Sequence, residues 1–397
     1  MSTAERDAGA MDVTSQAPAG AVTRSRRLPK EVVRIFLPLV LAIVAIGAYT
    51  SSRDSSFVSG SNIQGILSES STLGILALGQ TLLLIAGELD LSVGSAVSLS
   101  GVLAAKLLLP PSVPTWAIVL AVIAIGAAVG LFWGLLVTYV RVPAFILTLG
   151  GLSLLSSAAL VIANSTPIPI NSSFNVLAVD SWFGVRTPTV IFALLALLCW
   201  LGLRYTRYGR HVFAVGANEQ AAYLSGVPTR SVKLAVFVLN GALVAPAALI
   251  LMARLGAGDP QMGSGLELQA VAAAVLGGAT LLGGKGSIVG TVLAVVLLGV
   301  ISSALIFLNI SGTWQGAVYG AVLVIAVTLS ALSDRQGSER LWQSLRRGLA
   351  SLLHRPANLS GAGTAFHRGG SSSAGDSSSA GDSSSPGGDS GRGGGTA

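Results

Sequence analysis

From Trp116 to Val140 the chain carries no charged side chain, and none occurs between Lys285 and Asp334. Runs of this kind are hard to place in water but suit a bilayer, whose hydrocarbon core of about 30 Å takes roughly 20 apolar residues per helix. The rest of the composition agrees: of 397 residues, 52% are hydrophobic and only 10% charged, against about 25% charged in soluble domains. The expected fold class is therefore all-α, a polytopic membrane protein with about ten transmembrane helices. A single cysteine, Cys199, excludes a disulfide framework and a cysteine-based metal site. The three histidines, His211, His354 and His367, are too scattered to form a ligand cluster, so no metal site is expected.

Candidate spans fall at 35–50, 64–86, 92–109, 115–140, 144–163, 187–203, 232–253, 266–284, 287–309 and 313–333. Two are irregular. The 64–86 stretch is interrupted by Glu69 and a Ser/Thr run, and 266–284 ends in the glycines Gly283 to Gly286. Either is a candidate for a bent or re-entrant segment, which a membrane tolerates only where the backbone is packed in protein or lines a cavity. With ten spans and both termini cytoplasmic, 20 Lys and Arg residues fall inside and four outside (Arg53, Lys106, Arg186 and Arg254). That asymmetry satisfies the positive-inside rule, and one missed span would destroy it. The net charge of +7 thus reads as orientation and lipid contact rather than nucleic-acid binding.

Four regions follow: a basic cytoplasmic segment over 1–34, a transmembrane domain over 35–333, a cytoplasmic amphipathic helix over 334–356 and a Gly/Ser-rich tail over 357–397. Over 338–356, Leu341, Trp342, Leu345, Leu349, Leu352 and Leu353 share one helical face, as in a helix lying on a leaflet or packed on a partner. The tail holds 12 Gly and 11 Ser with two SSSAGD repeats, and is expected to be disordered.

No catalytic constellation stands out. The run GGATLLGGKG at 277–286 places Ala279 and Gly286 where a phosphate-binding loop needs Gly and Ser or Thr, so nucleotide binding there is not expected. Gly126, Gly130 and Gly134 form a GxxxGxxxG ridge for close helix packing, and Gly316 and Gly320 read the same way. Trp116, Trp182 and Trp314 fall near membrane edges as aromatic anchors. Polar groups are more telling, because an ionisable side chain at mid-bilayer costs roughly 3 kcal/mol on insertion scales. Glu69, Gln80, Asn240, Glu267 and Gln269 sit in or beside spans. Hydrogen bonding between helices is the simpler role for each; as a set they are the candidate substrate pathway for a hydroxyl-rich solute. Asp90, just before Ser92, is expected to cap the following helix. The 204–233 loop is the longest cytoplasmic connection. Within it Asn218 can cap a short helix over 218–224, which Gly226 and Pro228 stop. Such a helix between glycine hinges is either a docking knob for a cytoplasmic partner or an inert ordered linker.

Several blocks together resemble the inner-membrane permeases of ABC importers for ribose, xylose, arabinose and galactosides: DLSVGS at 90–95, PAFILTLG at 143–150, GRHVFAVGANEQAAYLSGV at 209–227 and GDPQMGSGLELQAVAAAVLGGATLLGGKGSIVGT at 258–291. The resemblance runs from about residue 60 to 333. One departure is local: where these permeases have Gly-Gly-Ile before the aspartate, this chain has Gly87-Glu88-Leu89. The resemblance implies a multi-pass protein of the bacterial cytoplasmic (inner) membrane that translocates a sugar and binds no cofactor itself. A separate ABC ATP-binding subunit would use ATP and Mg, an extracytoplasmic sugar-binding protein would deliver the solute, and a second permease copy would complete a homodimer. It further implies that 209–227 is the coupling loop to the ATPase, a role carried onto Gly209, Gly216, Asn218, Ala221, Ala222, Ser225 and Gly226. The same architecture for nucleosides, autoinducer furanones or branched-chain amino acids stays open, as does, from another class, a proton-coupled secondary transporter using Glu69 or Glu267.

Overall fold

The computed structural model describes residues 30–333 apart from 110–112, 171–173, 175, 176, 179, 183 and 312. Most of the 1–34 segment, the expected amphipathic helix at 334–356 and the tail at 357–397 lie outside the described residues. Twelve α-helices occur among those described: α1 Lys30–Arg53, α2 Gly60–Ile85, α3 Val93–Leu108, α4 Thr115–Leu135, α5 Ala144–Ile162, α6 Thr187–Tyr205, α7 Arg207–Ala217, α8 Glu219–Leu224, α9 Thr229–Leu255, α10 Leu266–Leu276, α11 Ile288–Phe307 and α12 Thr313–Ser333. The only extended pairs among them are two-residue contacts, Ile168–Pro169 with Ala257–Gly258 and Ser181–Trp182 with Val185–Arg186. The protein is an all-α polytopic membrane protein. Each of the ten expected spans coincides with a helix, and seven are long and apolar enough to cross a bilayer: those from Phe36, Gly60, Thr115, Ala144, Thr187, Thr229 and Ile288.

The helices sort by burial. In α2, 89% of the most apolar stretch is buried, against 11% in α1 and 17% in α6. The helix that looked least like a span is thus the centre of the bundle. It tolerates its buried serines and threonines because protein, not lipid, surrounds most of its length, while Glu69 turns to an exposed face. It runs unbroken from the Ser59 cap, whose hydroxyl accepts the Asn62 amide at 3.3 Å, to Ile85, so 64–86 is one continuous helix and not a re-entrant segment. Two of its inward-facing hydroxyls bond locally and across helices: Ser71 Oγ donates to the Leu67 carbonyl at 2.7 Å, and Thr81 Oγ1 lies 2.7 Å from Thr291 Oγ1 on α11. Lipid-facing helices instead expose Leu194, Leu197 and Leu198 on α6 and Phe145, Ile146 and Leu149 on α5.

The irregular reading of 266–284 does hold. α10 stops at Leu276, and the chain continues through a glycine-rich loop to the Ser287 cap of α11. At a rise of about 1.5 Å per residue, α10 is roughly 16 Å long and α3 roughly 24 Å, both short of a full crossing. The segment preceding α10 descends alongside α3: Gly258 packs on Gly101 and Ala105, and the Gly263 amide donates to Ser98 Oγ at 2.9 Å. Both short helices therefore begin inside the protein, where irregular backbone is shielded from lipid.

α4 and α9 form the tightest helix pair, and the glycine ridge is the reason. A methyl group added at Gly126 would overlap the Gly241 carbonyl oxygen, and one at Gly130 would lie 2.9 Å from the Phe237 carbonyl carbon. Gly316 and Gly320 behave otherwise: nothing within the described residues lies within 4 Å of a methyl placed there, so within this chain they are not packing positions. Replacing Gly130 with Leu is expected to force α4 from α9 and cost more than the 1–3 kcal/mol or so of ordinary overpacking, because the obstacle is backbone. Gly150→Leu, which meets open space, should leave the thermal transition of the detergent-purified chain within a few degrees of wild type.

Candidate functional site

Two features stand out from the apolar bundle, one at the surface and one in its interior. The surface feature is built by α7 and α8 between two long helices. Thr206 Oγ1 caps α7 by accepting the Gly209 amide at 3.1 Å; Gly209, Val212 and Val215 turn inward, and Arg207 and Arg210 outward. Tyr208 beside them lies against the body, its hydroxyl 3.4 Å from the Val232 carbonyl, and burial pushes its phenol above the ordinary range. The capping prediction for Asn218 is met, since its Oδ1 accepts the Ala221 amide at 2.9 Å. α8 ends where the Val227 amide returns to the Ala222 carbonyl at 3.0 Å, a closure that places Gly226 at φ +81°. Ala222 is buried, whereas Asn218, Ala221, Ser225 and Gly226 are exposed. Tyr223 and Leu224 beside them are 68% and 78% exposed, large side chains left largely uncovered by the described residues.

Gly216, on one side of this foot, is not a hinge, contrary to the sequence-based reading. Gly216 lies within α7, where a side chain would overlap the Ile85 carbonyl oxygen at the end of α2. That oxygen accepts the Gly284 amide at 2.9 Å from the α10–α11 loop. The foot, the end of the central helix and the glycine loop thus meet backbone to backbone, an approach open only to residues without a side chain. Beside this junction Lys233 Nζ, on the first turns of α9, lies 2.7 Å from Glu88 Oε1 and 2.7 Å from Glu219 Oε2. Sequence reasoning missed this cluster; its one signal was the departure at Glu88, as the three residues are far apart in the chain.

The interior feature centres on Asp90, 4% exposed. Its Oδ1 accepts the Ser92 amide at 2.8 Å and hydroxyl at 2.6 Å, and its Oδ2 accepts Asn240 Nδ2 at 2.9 Å. Its backbone carbonyl accepts Gln80 Nε2 at 2.5 Å. Asp90 therefore does not cap α3 through the first helical amides as expected; it closes a turn on Ser92 and ties that turn to α2 and α9. The Leu91 amide donates to Thr148 Oγ1 at 3.1 Å, adding α5. Of the candidate pathway residues, Gln80 and Asn240 meet here, both buried. Glu267 is near but separate: its Oε1 accepts the Gly265 amide at 3.2 Å and its Oε2 lies against Gly94 on α3. Gln269 is half-buried on α10. Glu69 lies apart, paired with Arg254 at 3.2 Å on an exposed face. A cavity of about 550 Å³ between α4, α6 and α9 is lined by Leu194, Leu198, Leu239, Leu243 and Pro246 among others and offers a hydroxyl-rich solute almost nothing to bond. No three His, Cys, Asp or Glu residues come together as a metal site among the described residues.

Replacing Asp90 with Leu would strand the Asn240 and Ser92 donors, each costing about 1–3 kcal/mol. Little folded chain is expected from size-exclusion chromatography in detergent. Asp90→Asn should survive, because the Asn240 amide can turn over and present its oxygen.

The family described as "Branched-chain amino acid transport system / permease component" matches residues 62–327. The ribose import permease of Escherichia coli strain K12 is 38% identical over 295 residues, covering 72% of this chain and 91% of that protein. The xylose transport system permease of Haemophilus influenzae is 30% identical over 365 residues, covering 76% of this chain and 97% of that protein. The ribose import permease of Bacillus subtilis strain 168 is 35% identical over 297 residues, covering 74% and 91% respectively. No solved structure matches the chain. The match takes in α3 to α11 and most of α2 and α12, the foot and the Asp90 turn included, and the chain belongs to this family of transport-system permease components.

Proposed function

We propose that the chain is the membrane subunit of an ATP-driven importer that carries a sugar, a monosaccharide such as ribose or xylose or a galactoside, into the cytoplasm. The observation that carries this reading is the foot. A short, capped helix projects Tyr223 and Leu224 bare at one end of the bundle while its base is seated on the end of the central helix. An apolar tip of this kind on a loop of Arg residues suits the groove of a water-soluble partner, and the chain's own sequence has no nucleotide loop to supply the energy. The relatives' names supply the class of cargo.

On this reading the foot end faces the cytoplasm with both termini. A separate ATP-binding subunit grips 209–227 and consumes ATP and Mg, an extracytoplasmic sugar-binding protein delivers the solute, and two copies of the chain pair in the membrane. Closure of the ATPase pushes the foot, and the bundle moves between two packings that open to opposite sides. Gln80 and Asn240, closed on Asp90 here, would have to exchange these bonds for sugar hydroxyls to line a path. Glu69, already paired with Arg254, and Glu267, held by the Gly265 amide, give no support to a proton-coupled carrier.

In cells holding the chain with an adjacent-gene ATPase and binding protein, labelled D-ribose or D-xylose is expected to accumulate. Leu224→Asp with Tyr223→Asp should lower that uptake about tenfold or more, in the range of hot-spot losses at interfaces, with membrane insertion unchanged; normal uptake by this variant would remove the foot from the mechanism. A second measurement tests sidedness. A cysteine at Ser225 in a Cys199→Ala background is expected to resist a membrane-impermeant maleimide in intact cells and to react after permeabilisation.

A further inference from the structure

The Lys233 cluster lies where three parts of the chain converge. Glu88 belongs to the turn between α2 and α3, Lys233 to the start of α9 and Glu219 to the first position of α8. Burial is graded along it: the Glu88 and Lys233 side chains are 11% and 15% exposed, and Glu219 52%. An exposed ion pair contributes little, but a shielded one resists separation, because parting it leaves an uncompensated charge out of water. The inner pair is therefore the firm one. From Glu88 the connection continues inward. Its amide is held by the Leu83 carbonyl at 2.9 Å, and two residues on Asp90 grips α9 and α2 through Asn240 and Gln80 and begins α3 through Ser92.

We propose that Glu88, Lys233 and Glu219 form a load-bearing ionic strut that makes the α2–α3 turn, and with it the Asp90 node, move with the foot. Glu88 is then a positioning residue for transport. This rests on the reading of 209–227 as the ATPase-facing element. The apolar tip of α8 receives the push, the glycine junction keeps its base in register, and the strut carries the displacement sideways into the turn where the short helix α3 begins. Without the strut, the foot still docks and still bears on the end of α2 through the glycine junction, but the α2–α3 turn loses its ionic tie to α8 and α9.

The test compares Lys233→Met, the near-isosteric Glu88→Gln and Lys233→Arg, which keeps a cation able to reach both carboxylates. In the purified chain in lipid nanodiscs, amide exchange over 86–92 is expected to quicken about fivefold or more in the first two variants, the lower bound of ordinary site-to-site coupling, and to return towards wild type in Lys233→Arg. Unchanged exchange in both overturns the strut, and this arm needs no partner protein. In the complex with the ATPase, with D-ribose or D-xylose as probe, Glu88→Gln is expected to keep ATP hydrolysis while sugar moved per ATP falls by a similar factor. Hydrolysis and uptake falling in proportion would make the cluster a plain structural brace and overturn the proposal, as would an unaltered ratio. Should Lys233→Met fail to fold, Glu88→Gln carries both arms. Failure of the wild-type chain to associate with any ATPase would instead count against the functional reading, and the exchange result on the chain alone would still decide whether the turn and foot are joined.

Discussion

Inside a bilayer a peptide N–H or C=O without a partner costs several kcal/mol, and no water is present to supply one. Helices satisfy that demand for their own backbone, so the architecture is set by what happens where helices stop. In this protein α3 and α10 stop short of a crossing, and the chain around them is enclosed by α2, α5 and α9. Groups in these irregular segments find partners across the bundle: the Gly263 amide meets Ser98, the Leu91 amide Thr148 and the Asp90 carbonyl Gln80. Asp90, Gln80, Asn240, Thr148 and Ser98 thus gather where the backbone breaks, since that is where donors and acceptors are needed.

The same constraint explains the bundle's arrangement. Lipid is as apolar as leucine, so helices gain little from hiding apolar side chains from one another and associate by close contact. Glycine supplies that contact between α4 and α9, and again where Gly216 meets Ile85 and Gly284. The central helix α2 is the one with fewest demands on its apolarity. Its serines and threonines are a consequence of its position rather than a sign of weakness in the span.

The foot and the Asp90 node belong to one connected body. The foot has an apolar tip facing away from the protein and a base made of backbone contacts and an ion cluster; the node has every carboxylate oxygen engaged. A rigid base under an adhesive tip transmits a push, whereas a flexible loop would absorb it. Under the proposed function that stiffness serves transport, because alternating access depends on moving whole helices between packings.

Much of this was legible in the amino-acid order. Hydrophobic runs located helices at all ten expected positions, Asn218 marked the start of α8, and the glycine ridge announced a close helix contact. These are local properties, decided by side-chain chemistry against lipid and by spacing along one helix. What the order of residues could not show is which helix lies at the centre, that Gln80 and Asn240 close on Asp90 while Glu69 turns away to Arg254, or that Glu88, Glu219 and Lys233 meet. Gly216 illustrates the difference: as a letter it suggests a hinge, and only its contact with the end of α2 makes it a packing position. Those outcomes depend on the register between helices distant in sequence, and register is chosen by the packed whole, where one backbone contact or one shared carboxylate excludes the alternatives.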